Sequence, residues 1–313
     1  MRFQKRDAAI LETIYSFDGL IARRQIKEIY WPTSSDQSME KRLSKLFHNG
    51  YINWPSEEHR KYRAIPEPII WVGWKGALIL AQQRGITIQE PKGSNENQLR
   101  LLENKLRDHG IRWLREPKWN QIQHDLKIND IHLAVEKSVK AYLYFKIEGW
   151  VLESSFRTNT DVIYFDYKAG DGKVKRKKKG ICPDGLFVIL DKEKYQKSLP
   201  YKAWFLLEID MATHDNPRFG IEKVAAGIAY IKSEKYKKRF GVNAGRWLII
   251  TTSDIRMKNL MRQTRIQAGD LSHLFYFSTF DKVVTNNMLD SQIWWQVGYE
   301  GPRALPLLPG FRR

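Results

Sequence analysis

Three carboxylates set among apolar residues are the side chains here best suited to chemistry. Asp184 lies in Cys182-Pro183-Asp184-Gly185-Leu186-Phe187-Val188-Ile189-Leu190, and Glu208 and Asp210 lie in Trp204-Phe205-Leu206-Leu207-Glu208-Ile209-Asp210. Both runs are short and rich in Ile, Val, Phe and Leu, which predicts mostly buried strands. An ionised carboxylate is costly in such a place unless it is paired, hydrogen-bonded or metal-bound. Acids on neighbouring strands suit a hard cation with oxygen ligands, such as magnesium. Alternatively, each acid meets a Lys or Arg at a strand end, or caps a turn. Cys182 is the single cysteine and reads as a packing residue rather than a nucleophile. One cysteine excludes a disulfide framework and a Cys-rich zinc site, and fits a reducing cytoplasm.

The elements that must position these acids belong to a strongly basic chain of 313 residues, with 53 Lys and Arg against 35 Asp and Glu and a net charge of +18. That excess points to a polyanion, most simply nucleic acid. An anionic membrane surface is the competing partner. No apolar run approaches a bilayer span, and Met1-Arg2-Phe3-Gln4-Lys5-Arg6-Asp7 lacks a signal-peptide apolar region, so no membrane partner is expected.

Residues 1–88 read as three short helices followed by a β-hairpin and a fourth helix. Ile10, Leu11 and Ile14 mark the first helix, and Leu20 to Trp31 the second, ended by Pro32. The third buries Met39, Leu43, Leu46 and Phe47 and presents Gln37, Ser38, Lys41, Arg42 and Lys45 on its other face. Strands at Tyr51–Trp54 and Ile69–Val72 flank a polar turn with His59, Arg60 and Lys61. This is the order of a winged helix-turn-helix. Its third helix would enter the major groove and its wing would touch the backbone or the minor groove. A protein-interaction or dimerisation module with a solvated basic face would show the same pattern.

Residues 89–120 read as a linker and a connecting helix with Leu99, Leu102 and Leu106. Residues 121–313 read as a mixed sheet with helices on its faces. A long helix over 121–145 carries His124 and Asp130, which could approach the carboxylate strands or simply hydrogen-bond nearby turns. Strands follow at 150–157, 179–190, 204–211, 247–252 and 274–278, with helices at 218–236 and 255–267. The run Lys173-Val174-Lys175-Arg176-Lys177-Lys178-Lys179 is either a solvated hairpin tip or a phosphate-contacting arm, through Lys175, Arg176 and Lys177. Trp294-Trp295 and Gly301-Pro302-Arg303-Ala304-Leu305-Pro306 could dock a partner or pack back on their own domain.

A helix, a strand with Glu153, strands with Pro183-Asp184-Gly185 and Glu208-Ile209-Asp210, then a helix and a strand resemble the restriction-endonuclease-like core. Its signature is Pro-Asp, a spacer, then Asp or Glu, any residue, and Lys. Over residues 5 to 255 the chain looks more particularly like the replication-relaxation family of plasmid and mobile-element proteins. The likeness lies in Lys41-Arg42-Leu43-Ser44-Lys45-Leu46-Phe47-His48-Asn49-Gly50-Tyr51-Ile52, in His124-Asp125-Leu126-Lys127-Ile128-Asn129-Asp130, and in Pro183-Asp184-Gly185 with Leu207-Glu208-Ile209-Asp210 and Thr213. The order of these short motifs carries the specificity.

The resemblance implies an α/β (α+β) chain in which Asp184 and Glu208 hold Mg2+ or Mn2+, with Glu153 or Asp210 completing the shell. One position departs from the signature, because Asp210 stands where it has lysine. Lys223 on the next helix could supply the amine, making Asp184, Glu208 and Lys223 the catalytic set. Asp210 could instead be a further ligand, or the site could be inactive. The expected function is a DNA-binding protein of a plasmid or mobile element whose nuclease-like domain cuts or nicks DNA. The alternative is a non-catalytic regulator or replication accessory factor. The expected partner is double-stranded DNA, with a second copy of the chain or a larger mobile-element complex.

Overall fold

The computed structural model describes residues 2–63, 65–93, 95–213, 215–297 and 304–308. The chain forms two compact units, residues 1–129 and 130–313. The tail residues Gly301-Pro302-Arg303 lie outside the described residues.

The first unit opens with α1 (Lys5–Ser16), β1 (Leu20–Ala22), α2 (Arg23–Tyr30) and α3 (Asp36–His48). It continues through β2 (Ile52–Asn53), α4 (Glu57–Tyr62), β3 (Ile69–Val72), α5 (Trp74–Gln83) and α6 (Glu96–Asp108). Ile10, Leu11, Ile14, Leu43 and Leu46 are fully buried, as their helical spacing predicts. The three strands pair antiparallel in the order β1-β3-β2.

Two local predictions are corrected here. The second helix begins at Arg23, because Leu20, Ile21 and Ala22 are all buried and pair with Trp71, Ile70 and Ile69. Three consecutive buried residues have no polar face to offer solvent, which suits a ladder rather than a surface helix. The polar stretch expected as a turn at 55–61 contains α4, which Ser56 caps by accepting from His59 N at 3.2 Å. Glu57 and Glu58 in its first turn favour that helix electrostatically. Helix α7 (Ile122–Lys140) brings Ile122 and Leu126 against Leu20, Ala22, Ile69 and Trp71.

The second unit takes in α7 from Asp130 onward, then β4 (Phe145–Leu152), α8 (Glu153–Thr158), β5 (Asp161–Lys168), β6 (Val174–Ile181), β7 (Gly185–Asp191), α9 (Lys192–Gln196) and β8 (Lys202–Asp210). After β8 come α10 (Asn216–Phe219), a π-helical segment (Gly220–Ala225), α11 (Ala226–Lys232), α12 (Glu234–Phe240) and β9 (Arg246–Thr251). The unit ends with α13 (Asp254–Ala268), a 3-10 segment (Gly269–Leu274), β10 (Phe275–Thr279), α14 (Phe280–Thr285), β11 (Trp294–Gln296) and β12 (Ala304–Leu305).

Seven strands form one mixed sheet in the order β12-β11-β10-β9-β8-β7-β4, flanked by helices. Strands β8, β9 and β10 run parallel, and β4, β7 and β8 are antiparallel neighbours. Phe205, Leu206 and Leu207 are fully buried in succession, as befits a central strand covered on both faces. Strands β5 and β6 form a separate two-stranded hairpin.

Four expectations change in this unit. The strand expected over 150–157 ends at Leu152, so Glu153 starts a helix instead. The basic run is a strand, β6, and the hairpin tip lies just before it, where Ala169 N donates to Lys173 O at 2.9 Å. The helix expected over 218–236 is interrupted by the π-helical segment and then by Ser233, whose extended backbone (ψ 150°) ends α11 while its side chain caps α12. Trp294 is wholly buried and its strand pairs with β10, so this part of the tail packs on its own unit.

Gly227 sets the standoff of α11 from the sheet. A Cβ there would lie 2.8 Å from Trp247 Nε1, so the helix rests directly on the indole. No described helix is long and apolar enough to cross a membrane.

Candidate functional site

The site is built where β7 begins and β8 ends. Gly185 pairs with Leu207 as the last rung of the β7–β8 ladder, and Asp184 immediately precedes it, one residue before β7. Both acids act on Lys223, Glu208 more strongly than Asp184, so the two carboxylates line one pocket. Asp184 N donates to Leu207 O at 3.0 Å, and Asp184 Oδ2 accepts from Ile209 N at 2.6 Å. These bonds hold the acid against β8. Asp184 and Glu208 are 5% and 6% exposed, so they sit in a low-dielectric pocket rather than in bulk water.

Lys223 approaches from the π-helical segment, with Nζ 2.5 Å from Glu208 Oε1. Burial works against its charge, but Glu208 first and then Asp184 outweigh that cost and hold it above the usual lysine range. It is therefore a fixed cation. An insertion that widens one helical turn re-aims the side chains it carries, and such π-bulges recur at functional sites.

Glu153, at the start of α8, is the third acid. A carboxylate oxygen of Glu153 lies within 4.8 Å of one of Asp184. Arg157, one helical turn on, donates Nε to Glu153 Oε1 at 2.9 Å. Cys182 Sγ lies 3.8 Å from Glu153 O. Burial, then Glu153, pushes its thiol up to about 11, which leaves it protonated and unreactive at neutral pH.

Asp210 is differently engaged. Arg256 Nη2 donates to its Oδ1 at 2.8 Å and Arg256 Nε to its Oδ2 at 2.9 Å, and Thr251 Oγ1 donates to Oδ2 at 2.6 Å. Both oxygens are held in a fork, so Asp210 is not brought together with Glu153, Asp184 and Glu208 as an open ligand.

Around Glu222, next to Lys223, three cations gather that sequence reading did not connect. Lys177 Nζ lies 2.9 Å from Oε1, and Lys179 Nζ and Arg218 Nε lie 3.1 Å and 3.3 Å from Oε2. Period-two alternation along β6 was the available signal, since it puts Lys175, Lys177 and Lys179 on one face. Lys175 pairs with Asp171 at 3.4 Å. On the other face Arg176 and Lys178 lie 5.5 Å and 5.6 Å from the exposed Tyr164 ring.

In the first unit, Gln37, Ser38, Lys41 and Lys45 are exposed on α3. Arg42 is turned inward and pairs with Asp7, which is wholly buried. Arg60 and Lys61 are exposed on α4, Arg60 donating Nε to Pro55 O at 3.1 Å. His59 stacks on Trp119 at 4.3 Å.

No curated protein and no solved structure matches the chain. Residues 13–245 match the replication-relaxation family. That stretch contains Glu153, Asp184, Glu208 and Lys223 together with α2 and α3, and on this match the chain belongs to the replication-relaxation family.

Proposed function

We propose that this protein binds double-stranded DNA in the replication of a plasmid or mobile element, and that its C-terminal unit acts on the phosphodiester backbone with a divalent metal. The observation that supports this reading is the convergence of Asp184 and Glu208 on the charge of Lys223, with Lys223 Nζ on Glu208. Helix, three strands of the mixed sheet and a following helix-strand pair have the order of the restriction-endonuclease-like core. The first unit, with β1-β3-β2 and the exposed polar face of α3, has the order of a winged helix-turn-helix. The charge of +18 favours a polyanionic partner.

Asp184, Glu208 and Glu153 would hold Mg2+ or Mn2+, for which an all-oxygen donor set is suited. When bound, such an ion neutralises phosphate charge and lowers the pKa of a coordinated water. The chain's own groups do the rest. Ile209 N fixes the Asp184 carboxylate, and Arg157 steers Glu153. Lys223, its charge favoured by Glu208, would serve as an electrostatic partner for Glu208, a phosphate oxygen or the attacking water.

A non-catalytic replication factor is the second reading. It is favoured by the Arg256 fork on Asp210, which locks the position where the nuclease signature has lysine. Supercoiled plasmid incubated with Mg2+ or Mn2+ separates the two. Nicking that is lost in Asp184→Ala and Glu208→Ala supports the metal-dependent activity. Intact duplex binding with no nicking in either metal leaves the non-catalytic factor.

A further inference from the structure

We infer that Lys177, Lys179 and Arg218, gathered on Glu222, form a preorganised cradle for phosphate beside the carboxylate pocket. This deepens the proposed function and rests on it for the identity of the ligand, the phosphodiester backbone of DNA.

One carboxylate balances one cation. Here three converge within 3.3 Å of Glu222, more positive charge than that one acid neutralises. Like charges so close repel unless a further anion shares them. The cluster is accessible to such an anion, because the side chains of Lys177 and Arg218 are 42% and 53% exposed.

It is also held in shape. Lys179 Nζ donates both to Glu222 Oε2 and to the backbone Glu222 O at 3.0 Å. Although burial opposes its charge, Glu222 is kept ionised by Lys177, Lys179 and Arg218, its carboxyl pushed down to about 2. Free lysine and arginine side chains lose much rotamer freedom on binding, and cations already fixed on a carboxylate lose less. Glu222 and Lys223 are consecutive, so the cradle and the Glu208–Lys223 pair are fixed by one backbone turn.

The outer face of β6 supplies an internal control, since Arg176 and Lys178 carry two positive charges on the strand of Lys177 but lie against the Tyr164 ring rather than on Glu222. The test measures duplex DNA binding by the full chain as a function of salt, for wild type, Lys177→Gln/Arg218→Gln and Arg176→Gln/Lys178→Gln. Each lost phosphate contact lowers the slope of log affinity against log salt by roughly 0.9. The cradle pair should lower it by about 2 and the outer pair by less than half as much. Equal losses in the two pairs overturn the cradle while leaving DNA binding in place. A parallel arm follows thermal stabilisation by pyrophosphate. If wild type ignores duplex DNA but is stabilised by pyrophosphate, and Lys177→Gln/Arg218→Gln is not, the cradle stands and its DNA ligand falls. Absence of both responses ends both proposals. Arg218→Gln alone, at a half-exposed position, replaces the double variant should the latter fail to fold.

Discussion

Lys223 reaches Glu208 across the gap between helix and sheet, Nζ to Oε1 at 2.5 Å, from a π-helical turn rather than from the strand that carries the acid. The amine's position therefore depends on how that helix is seated, and the buried acid has the amine as an ion-pair partner.

Removing the amine should cost stability as well as any activity. Lys223→Met leaves Glu208 buried without its cation, and breaking such a pair typically costs about 3 kcal/mol. Urea denaturation should show a drop of that size. Glu208→Gln combined with Lys223→Met should recover much of it, because no buried charge is then stranded. Equal stability of the single and double variants would show that the pair is not coupled.

Asp210 and Asp184 should separate by function. Asp210→Asn weakens the Arg256 fork and should lower the melting temperature, but leave Mn2+ affinity within about twofold of wild type. Asp184→Asn should do the reverse, abolishing Mn2+-dependent stabilisation by removing a charged ligand. Calorimetric titration with Mn2+ reads the difference directly. A large loss of Mn2+ affinity in Asp210→Asn would return that acid to the metal shell.

On α3, Arg42 and its neighbours should part in the same manner. Arg42→Met strands the buried Asp7 and should destabilise the protein by about 3 kcal/mol. Lys41→Gln and Lys45→Gln lie at exposed positions and should leave the melting temperature unchanged while weakening duplex binding and flattening its salt dependence. Unchanged binding in both lysine variants would remove α3 from the DNA interface.

Acid sensitivity should trace partly to His132. Burial, then Lys140, holds it down to about 3 from an ordinary 6.5, and its ring stacks on Trp150 at 3.7 Å. The unfolded chain takes up a proton below pH 6.5 that the folded chain refuses, so this site's contribution weakens as pH falls from 6.5 towards 3. The steepest part should approach about 1.4 kcal/mol per pH unit. His132→Phe keeps a ring against Trp150 and should flatten that limb in denaturation curves taken across the range.

Sequence pattern carried the mixed sheet and the adjacency of the strands that bear Asp184 and Glu208, because each is a continuous apolar run. It also led from the missing lysine to Lys223. It could not foresee the π-helical turn, since hydrophobic spacing over 218–236 fits an unbroken helix. Partners distant in sequence were equally hidden. Arg256 lies 46 residues beyond Asp210, and nothing local marks it as the fork on that acid. Arg42 misled for a related reason. On α3 it belongs to the polar face, and only the position of Asp7 on α1 turns it inward. Residues 20–22 went to the wrong element because three apolar residues suit either a helix start or a strand, and their pairing with β3 decides.

Gly227 reaches further than its own surroundings. With the indole of Trp247 in the place of a side chain, the helix stands as near the sheet as backbone allows. Adding even a methyl at this position would act as a shim under the helix, one turn from Lys223. Tuning of the chemistry could thus come from a residue that touches none of the acids, through the height at which an amine is suspended above them.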